Sequence, residues 1–311
     1  MKIGLDLGAS RIKVSFMNNK EEVKNFFISN RIDPGNKLGT SGYLVKYNDT
    51  FNRVGASTGY SNMAPNKIDL ANLEEMILAV GYQIMKLTEQ KDTTITLEVE
   101  ALLPPKQFMN HGDAFKVKLA KLGVLQGEVN GTSIKVVISN VNVNCEGVAL
   151  LNILDFNVLS TAVNKVLLMD VGSSTTDLVT ILKDGGVWQI GDADTIDIGG
   201  AKMCEAIAKK ISSEHGTSFE YEDLEKNMSY SFENKEYSIF DKADCLDAIV
   251  GEVSNKVRKF VRDPRQYTVI LAGDGSELLY SNKKMQEFIP DAAMLDEETR
   301  LYGNSIGALK S

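Results

Sequence analysis

The stretch Val166-Leu167-Leu168-Met169-Asp170-Val171-Gly172-Ser173-Ser174-Thr175-Thr176-Asp177-Leu178-Val179-Thr180-Ile181 constrains what this chain can fold into more than any other. An apolar run of the buried-strand kind ends at Asp170, a turn of small residues follows, and a second β-branched strand starts at Asp177. Gly172 to Thr175 carry little side-chain bulk, so their backbone N–H groups can close around an anion. The two aspartates stand where carboxylates can hold a hydrated divalent cation beside a phosphate. A lone strand–Gly–strand unit is usually only a hairpin. The N-terminus, however, carries a second copy. Met1-Lys2-Ile3-Gly4-Leu5-Asp6-Leu7-Gly8-Ala9-Ser10-Arg11-Ile12-Lys13-Val14-Ser15-Phe16 repeats the order of apolar strand, Asp, apolar residue, Gly, small residues and second strand. The glycine follows the aspartate by two residues in both copies, and Lys13 and Asp177 each stand seven beyond their aspartate. Two such turns can face each other and grip a polyphosphate from both sides.

Chain length and composition leave room for this. With 311 residues, 43% of them hydrophobic, a full core can be buried and two domains are expected. A net charge of −8 argues against a general nucleic-acid binder, whose phosphate contacts require a positive field. No run has the apolar length of a membrane span, and Met1 leads straight into a strand, so a cytosolic protein is expected. Cys145, Cys204 and Cys245 are widely separated and odd in number, which suggests neither a disulfide framework nor a zinc site. His111 and His215 are the only histidines, so a histidine-based triad or metal cage is not expected. Chemistry must rest on carboxylates, lysines and backbone amides. Neither a Walker-type phosphate loop nor a dinucleotide fingerprint opening a helix occurs, and a nucleotide would have to be held by the paired hairpins.

Along the chain, Glu22 to Ser29 reads as a third strand. Pro34-Gly35, Gly39, Gly42, Gly55 and Gly59 punctuate residues 31–68, with strands on either side of an Asn48-Asp49 turn, and a small exposed insertion is expected there. Leu70, Leu73, Ile77, Val80, Ile84 and Leu87 recur at three- and four-residue steps, the mark of a long amphipathic helix. Ile95 to Leu103 is strand-like and stopped by Pro104-Pro105, a short helix is expected over 113–122, and two strands flank the Asn130-Gly131 turn. A helix is expected to begin at Cys145-Glu146-Gly147, with Glu146 in its first turn. Gly199-Gly200 opens a helix through Met203, Ile207 and Ile211, which would permit close approach by a ligand. A polar, irregular insertion at 212–241 with a hairpin at Glu233-Asn234 follows, then a helix over Leu246 to Val257. Tyr267 to Ala272 reads as a buried strand running into Gly273-Asp274-Gly275-Ser276-Glu277-Leu278, and Leu301 to Ala308 as a closing helix.

In this order of elements the chain resembles the actin/DnaK/sugar-kinase superfamily, and within it the ParM-type plasmid-segregation bacterial actins, over essentially its whole length. Asp6 to Lys13 is similar to the first phosphate motif, lysine included, and Asp170 to Asp177 to the second. Asn144-Cys145-Glu146-Gly147 resembles the first connecting motif, where bacterial relatives carry a water-orienting Glu. Asp197 to Gly200 sits at the second connecting motif, Gly273 to Leu278 resembles the adenosine motif, and Asn304 with Gly307 is similar to the closing helix. Asp274, inside the glycine run, departs from the pattern and leaves ATP and GTP both open.

The resemblance implies an α/β fold of the actin-like kind: two duplicated ribonuclease-H-like domains around a nucleotide cleft, each with a small insertion subdomain. Domain I would span 1–163, completed by the C-terminal helix 297–311, and domain II 164–296. The implied cofactors are ATP or GTP and Mg²⁺. Gly8, Ala9, Ser10, Gly172, Ser173, Ser174 and Thr175 would bind the β- and γ-phosphates, with Lys13 offsetting their charge. Asp6 and Asp170 would hold Mg²⁺ through its waters. Glu146 would orient or deprotonate the attacking water, helped by Asp170 and Asp177. Gly199, Lys202, Glu205, Gly273, Gly275 and Ser276 would frame the ribose and base. The implied activity is nucleotide hydrolysis coupled to polymerisation, with the chain as its own filament partner, driving plasmid segregation through a DNA-bound adaptor protein. No direct contact to nucleic acid or membrane is implied. The alternatives are a sugar-type small-molecule kinase, which needs an aspartate base between the phosphate turns, and a cell-shape or scaffolding bacterial actin, for which a membrane anchor is expected.

Overall fold

The computed structural model describes residues 1–35, 41–56, 60–61, 64, 66–154 and 164–311. Gly39, Gly59 and residue 163, where the first domain is expected to end, lie outside the described residues. The chain divides into two compact units, Met1–Ile153 with Asn304–Ser311, and Leu154–Gly303.

The strands of the first unit are β1 (Lys2–Leu7), β2 (Arg11–Met17), β3 (Val23–Ser29), β4 (Arg31–Pro34), β5 (Tyr43–Tyr47), β6 (Thr50–Val54), β7 (Tyr60–Ser61), β8 (Thr94–Leu103), β9 (Val124–Val129) and β10 (Thr132–Cys145). Its helices include α1 (Leu73–Leu87) and α2 (Pro105–Ala120). The strands make one sheet in the order β3-β2-β1-β8-β10-β9-β5-β6-β4-β7. β1, β2 and β3 are antiparallel neighbours, while β8 lies between β1 and β10 and is parallel to both. The carboxyl ends of three parallel strands therefore lie along one edge, the usual place for a ligand in an α/β sheet.

Within the expected insertion, β5 pairs with β9, Val45 opposite Val129, and Ile32, Val45 and Val54 are fully buried in the same core as Leu5 and Val14. Two expectations change here. The helix expected over 113–122 starts at Pro105. Proline costs nothing at a first helical position, and the helix buries only Pro105, Phe115 and Leu119, a stripe too thin to read upstream. β10 runs on to Cys145, and Glu146 to Val148 form a turn before a single 3₁₀ turn at Ala149–Asn152. Glu146 thus follows a strand and does not occupy the first turn of a helix.

The second unit has β11 (Lys165–Val171), β12 (Thr176–Asp184), β13 (Val187–Ile196), β14 (Ser229–Phe232), β15 (Lys235–Ser238), β16 (Thr268–Ala272) and β17 (Ala293–Met294). Its helices include α3 (Gly200–His215), α4 (Tyr221–Asn227), α5 (Asp247–Val261), α6 (Ser276–Ser281) and α7 (Lys283–Phe288); α8 (Glu297–Leu309) closes the chain. The main sheet runs β13-β12-β11-β16-β17, with β11 antiparallel to β12 and parallel to β16. This is the order of β3-β2-β1-β8-β10: three antiparallel neighbours, then two parallel crossover strands. The segment expected to be irregular at 212–241 contains α4 and the β14–β15 hairpin, closed over stacked Tyr230 and Tyr237 with ring centroids 5.2 Å apart.

Candidate functional site

In the first unit the hairpin register puts Asp6 opposite Lys13, so the last buried aspartate of β1 lies across from a cation on β2. Opposite charges at facing positions support a sheet. The loop between them, Gly8 to Ser10, is braced from behind by Asn30, a residue that no sequence motif singles out. Its side-chain amide donates to the Gly8 carbonyl at 2.9 Å and its backbone N–H to the Ser10 carbonyl at 2.8 Å. Both carbonyls are thus held by Asn30, which is 1% exposed.

A second residue missed by sequence reading is Lys67, on the 3₁₀ turn Lys67–Asp69 ahead of α1. Its ammonium donates to Asp6 Oδ1 at 2.7 Å and to Glu146 Oε1 at 2.5 Å, with the carbonyl of Leu102 at 3.4 Å. The topology explains the reach. Asp6 is near the end of β1, Leu102 near the end of β8 and Glu146 just beyond β10; these are three neighbouring strands, about 4.8 Å apart per step. Burial alone would raise the Asp6 carboxyl, but the charges of Lys67 and Lys13 outweigh it and hold Asp6 below the ordinary carboxylate range. Burial likewise opposes the Lys67 charge, and Asp6 and Glu146 overcome it, lifting Lys67 above the ordinary lysine value. Asp6 and Lys67 are therefore both charged at neutral pH. Removing one partner from a buried ionic cluster typically costs about 3–5 kcal/mol.

Glu146 is placed by the closing segment. The Gly147 N–H donates to Asn304 Oδ1 at 2.9 Å, and Asn152 Nδ2 donates to the Gly307 carbonyl at 3.0 Å. A Cβ at Gly307 would lie 2.0 Å from the Ala149 carbonyl oxygen, so only glycine lets this helix lie against the Glu146 turn. Asn304 and Gly307 act on the site by fixing that turn.

In the second unit Asp170 faces Asp177 across β11 and β12, with 6% and 2% exposure. Like charges directly opposite are unfavourable in a sheet. A local conflict of this kind is expected where function sets the residue. The loop between the aspartates is closed by the Gly172 N–H, which donates to the Thr175 carbonyl at 2.8 Å. Gly172 therefore does not offer its N–H to a ligand, and the loop's remaining donors belong to Ser173, Ser174 and Thr175. The first two N–H groups of α3 are also spent: Gly200 donates to the Gly172 carbonyl at 2.8 Å and Ala201 to the Ser173 carbonyl at 2.9 Å. Both of these donors at the Gly199-Gly200 opening are engaged with the loop. A Cβ on Gly199 would lie 2.4 Å from the Ser173 carbonyl oxygen, so the glycine serves the approach of loop to helix. As Asn30 does in the first unit, α3 holds the loop carbonyls.

Gly273 and Gly275 complete this packing. The Gly275 N–H donates to the Val171 carbonyl at 2.9 Å, and Gly273 has a φ of +82°, with an added Cβ falling 2.3 Å from that same carbonyl oxygen. Ser276 is fully buried and donates its hydroxyl to the Gly273 carbonyl at 2.7 Å, which makes it a brace of the turn. Lys202 and Glu205 lie on the exposed side of α3, where Lys202 pairs with Glu252 at 3.2 Å and Glu205 with Lys209 at 2.7 Å. Each unit thus places its small-residue loop at the carboxyl end of its first strand, and the second sets Gly199, Gly273 and Gly275 around its loop.

The donor chemistry fits magnesium. Asp6, Asp170 and Asp177 offer hard carboxylate oxygens, and among the described residues no group of three or more His, Cys, Asp or Glu converges on one point. Carboxylate oxygens of this kind, present in each unit, are the donor type taken by a cation that keeps several waters and accepts phosphate oxygens, as Mg²⁺ does.

Residues 168–285 match a family model for the archaeal actin homologue MreB-like proteins, C-terminal region. No curated protein sequence matches the chain. Among solved structures it is similar to Ta0583, an archaeal actin homolog, with a TM-score of 0.75 and 19% identity over 99% of this chain and 98% of that one. The complex of Ta0583 with ADP gives 0.72 and 20% over 99% and 97%. A ParM from a 15-stranded Clostridium botulinum filament gives 0.72 and 16% over 99% and 97%, and Bacillus thuringiensis ParM with ATP gives 0.68 and 16% over 99% and 96%. The chain has the actin-like α/β fold.

Proposed function

We propose that this chain is an actin-like nucleotidase that binds ATP or GTP with Mg²⁺, hydrolyses it, and couples hydrolysis to polymerisation of the chain itself. The observation that carries the reading is the repeated construction: one sheet order occurs twice, and each copy ends in a small-residue loop with a buried aspartate at the strand end. The likeness to an ADP complex and to a ParM filament supports the nucleotide and the polymer respectively.

Catalysis of phosphoryl transfer to water is mainly positioning and charge stabilisation. Ala9, Ser10, Ser173 and Ser174 offer N–H and hydroxyl donors to phosphate oxygens, and Lys13 offsets phosphate charge. Asp6 in the first unit and Asp170 in the second are the carboxylates that would bind the waters of a magnesium ion, which would supply positive charge against the phosphates. Glu146, whose turn Asn304 holds through Gly147, would accept a proton from water or aim it. A positioned acid–base group of this kind contributes about 10²–10⁴-fold. Asp177 sustains the charge of the second loop. Gly273 and Gly275 shape the turn on which a base would rest.

As cargo we propose plasmid DNA, on the likeness to ParM; a net charge of −8 makes direct binding to DNA unfavourable and favours a DNA-bound adaptor protein. Sedimentation with Mg²⁺ and ATP or GTP, alongside phosphate release, tests the reading. Nucleotide-dependent pelleting with turnover is expected. Turnover that requires a hexose, with no pellet, would replace it by the kinase reading.

A further inference from the structure

Lys67 has more to do in this geometry than balance charge. Its ammonium has three protons and three acceptors, Asp6 Oδ1 at 2.7 Å, Glu146 Oε1 at 2.5 Å and the Leu102 carbonyl at 3.4 Å. The Lys67, Asp6 and Glu146 side chains are only 10–12% exposed. The turn that carries Lys67 is fastened to α2: the Lys67 N–H donates to Gln107 Oε1 at 2.9 Å, and Lys118 Nζ donates to the carbonyls of Ile68 at 2.6 Å and Leu70 at 2.9 Å. The ammonium is thus placed by a tethered backbone as well as by its own contacts.

We propose that Lys67 is a resident cation that keeps free divalent metal off the Asp6–Glu146 pair, so that metal enters only together with a nucleotide. The purpose of this device rests on the nucleotidase reading; the exclusion itself rests on the geometry. Two buried carboxylates converging on one point are a natural trap for a divalent ion, and here the point of convergence is filled by nitrogen. Magnesium requires oxygen ligands at about 2.0–2.1 Å in a near-octahedral set. One oxygen of each carboxylate, Asp6 Oδ1 and Glu146 Oε1, already accepts from Lys67. Two carboxylates and one ammonium leave a formal charge of −1, which Lys13 opposite Asp6 offsets further, and among the described residues no third acidic, His or Cys ligand joins them. A triphosphate supplies the missing anionic oxygens. It also gives the ammonium another acceptor, which frees Glu146 to meet water.

The test follows the thermal midpoint of the nucleotide-free, full-length chain with and without 10 mM-range MgCl₂ at matched ionic strength, for wild type and Lys67→Met. Ligand binding to the folded state alone raises the midpoint. Wild type is expected not to respond, and Lys67→Met to rise by about 3 °C or more, the scale of roughly a tenfold change in folding equilibrium for a chain of this size. A wild-type response as large as the variant's overturns the proposal, as does a folded but unresponsive variant. If Lys67→Met folds only in magnesium, the proposal stands. If it folds in neither buffer, Lys118→Met decides, because it loosens the turn and keeps the ammonium: a response above wild type sustains the proposal, and no response refutes it. ATP and GTP turnover by wild type is read separately. A responsive variant with no wild-type turnover refutes the nucleotidase reading alone; turnover with an unresponsive variant refutes the metal exclusion alone.

Discussion

Substituting Gly273 by alanine puts the packing argument for the second unit at risk in a single change. The backbone there has a φ of +82°, and an added Cβ would stand 2.3 Å from the Val171 carbonyl oxygen and 2.5 Å from Asp170 Oδ1. Holding a non-glycine residue at such a φ costs about 1–3 kcal/mol. The backbone contact cannot be relieved by a rotamer change, so the ends of β11 and β16 must separate, an overpacking cost of about 1–3 kcal/mol. A loss of about 2–5 kcal/mol is expected, a large share of the roughly 5–15 kcal/mol that holds a domain folded. Urea unfolding of the purified variant measures it. Gly251→Ala is the control: it lies inside α5, an added Cβ meets nothing within 4 Å, and a gain of about 0.5–1 kcal/mol is expected from the lower entropy of the unfolded chain. Because Asp170 must also shift, Gly273→Ala should weaken nucleotide binding, whereas Gly251→Ala should not. Equal midpoints and equal affinities for Gly273→Ala and wild type would refute the reasoning.

The other expectations are more local. Asn30→Ala removes the donor to the Gly8 carbonyl and should cost about 1–3 kcal/mol while lowering nucleotide affinity; unfolding and a binding titration read the two effects. Asn304→Ala releases the Gly147 N–H and should lower kcat with nucleotide affinity nearly unchanged, because it disturbs the Glu146 turn and neither phosphate loop. Glu146→Gln should retain nucleotide binding and lose about 10²–10⁴-fold in turnover, read as phosphate release. In pH, Asp6 is held below its ordinary 3.8, so its contribution to stability is full above that value and is lost as pH falls through the folded-state value. Lys67 is held above its ordinary 10.5, so its contribution is full below that value and is lost as pH rises through the folded-state value. The stability difference between wild type and Lys67→Met should therefore be flat between about pH 5 and pH 10 and shrink on both sides.

The two hairpins were legible because their signal is local: an apolar run, an aspartate, a glycine two residues on, and a second strand fix both the turn and the register, and Asp6 opposite Lys13 and Asp170 opposite Asp177 follow from it. Helix α1 was legible for the same reason, its buried Leu73, Ile77, Val80 and Ile84 standing at helical spacing. Residues that meet across the sheet were not. Lys67 is 61 residues from Asp6 and 79 from Glu146, a single lysine in a polar stretch, and only the order β1-β8-β10 brings the three together. The joining of β4, β5 and β6 to the main sheet depends on the β5–β9 pairing, which no alternation within either strand announces. Glu146 was recognised by its motif, yet its setting on a turn depended on β10 continuing along β8 to Cys145 and on Asn304 arriving from the end of the chain. The glycines at 199, 273 and 275 were visible as a ligand-approach signal. Their work in the fold is to let one backbone lie against another.

The central proposal is that the hairpin loop of each unit contributes to nucleotide binding. Calorimetric titration of wild type, Lys13→Ala and Asp170→Asn with Mg²⁺ and ATP, and again with GTP, tests it most directly. One nucleotide per chain is predicted for wild type, with affinity at least about tenfold weaker in each variant, equivalent to roughly 1.4 kcal/mol lost from either loop. Binding of two nucleotides per chain, no binding of either nucleotide, or full affinity in one of the variants would contradict it.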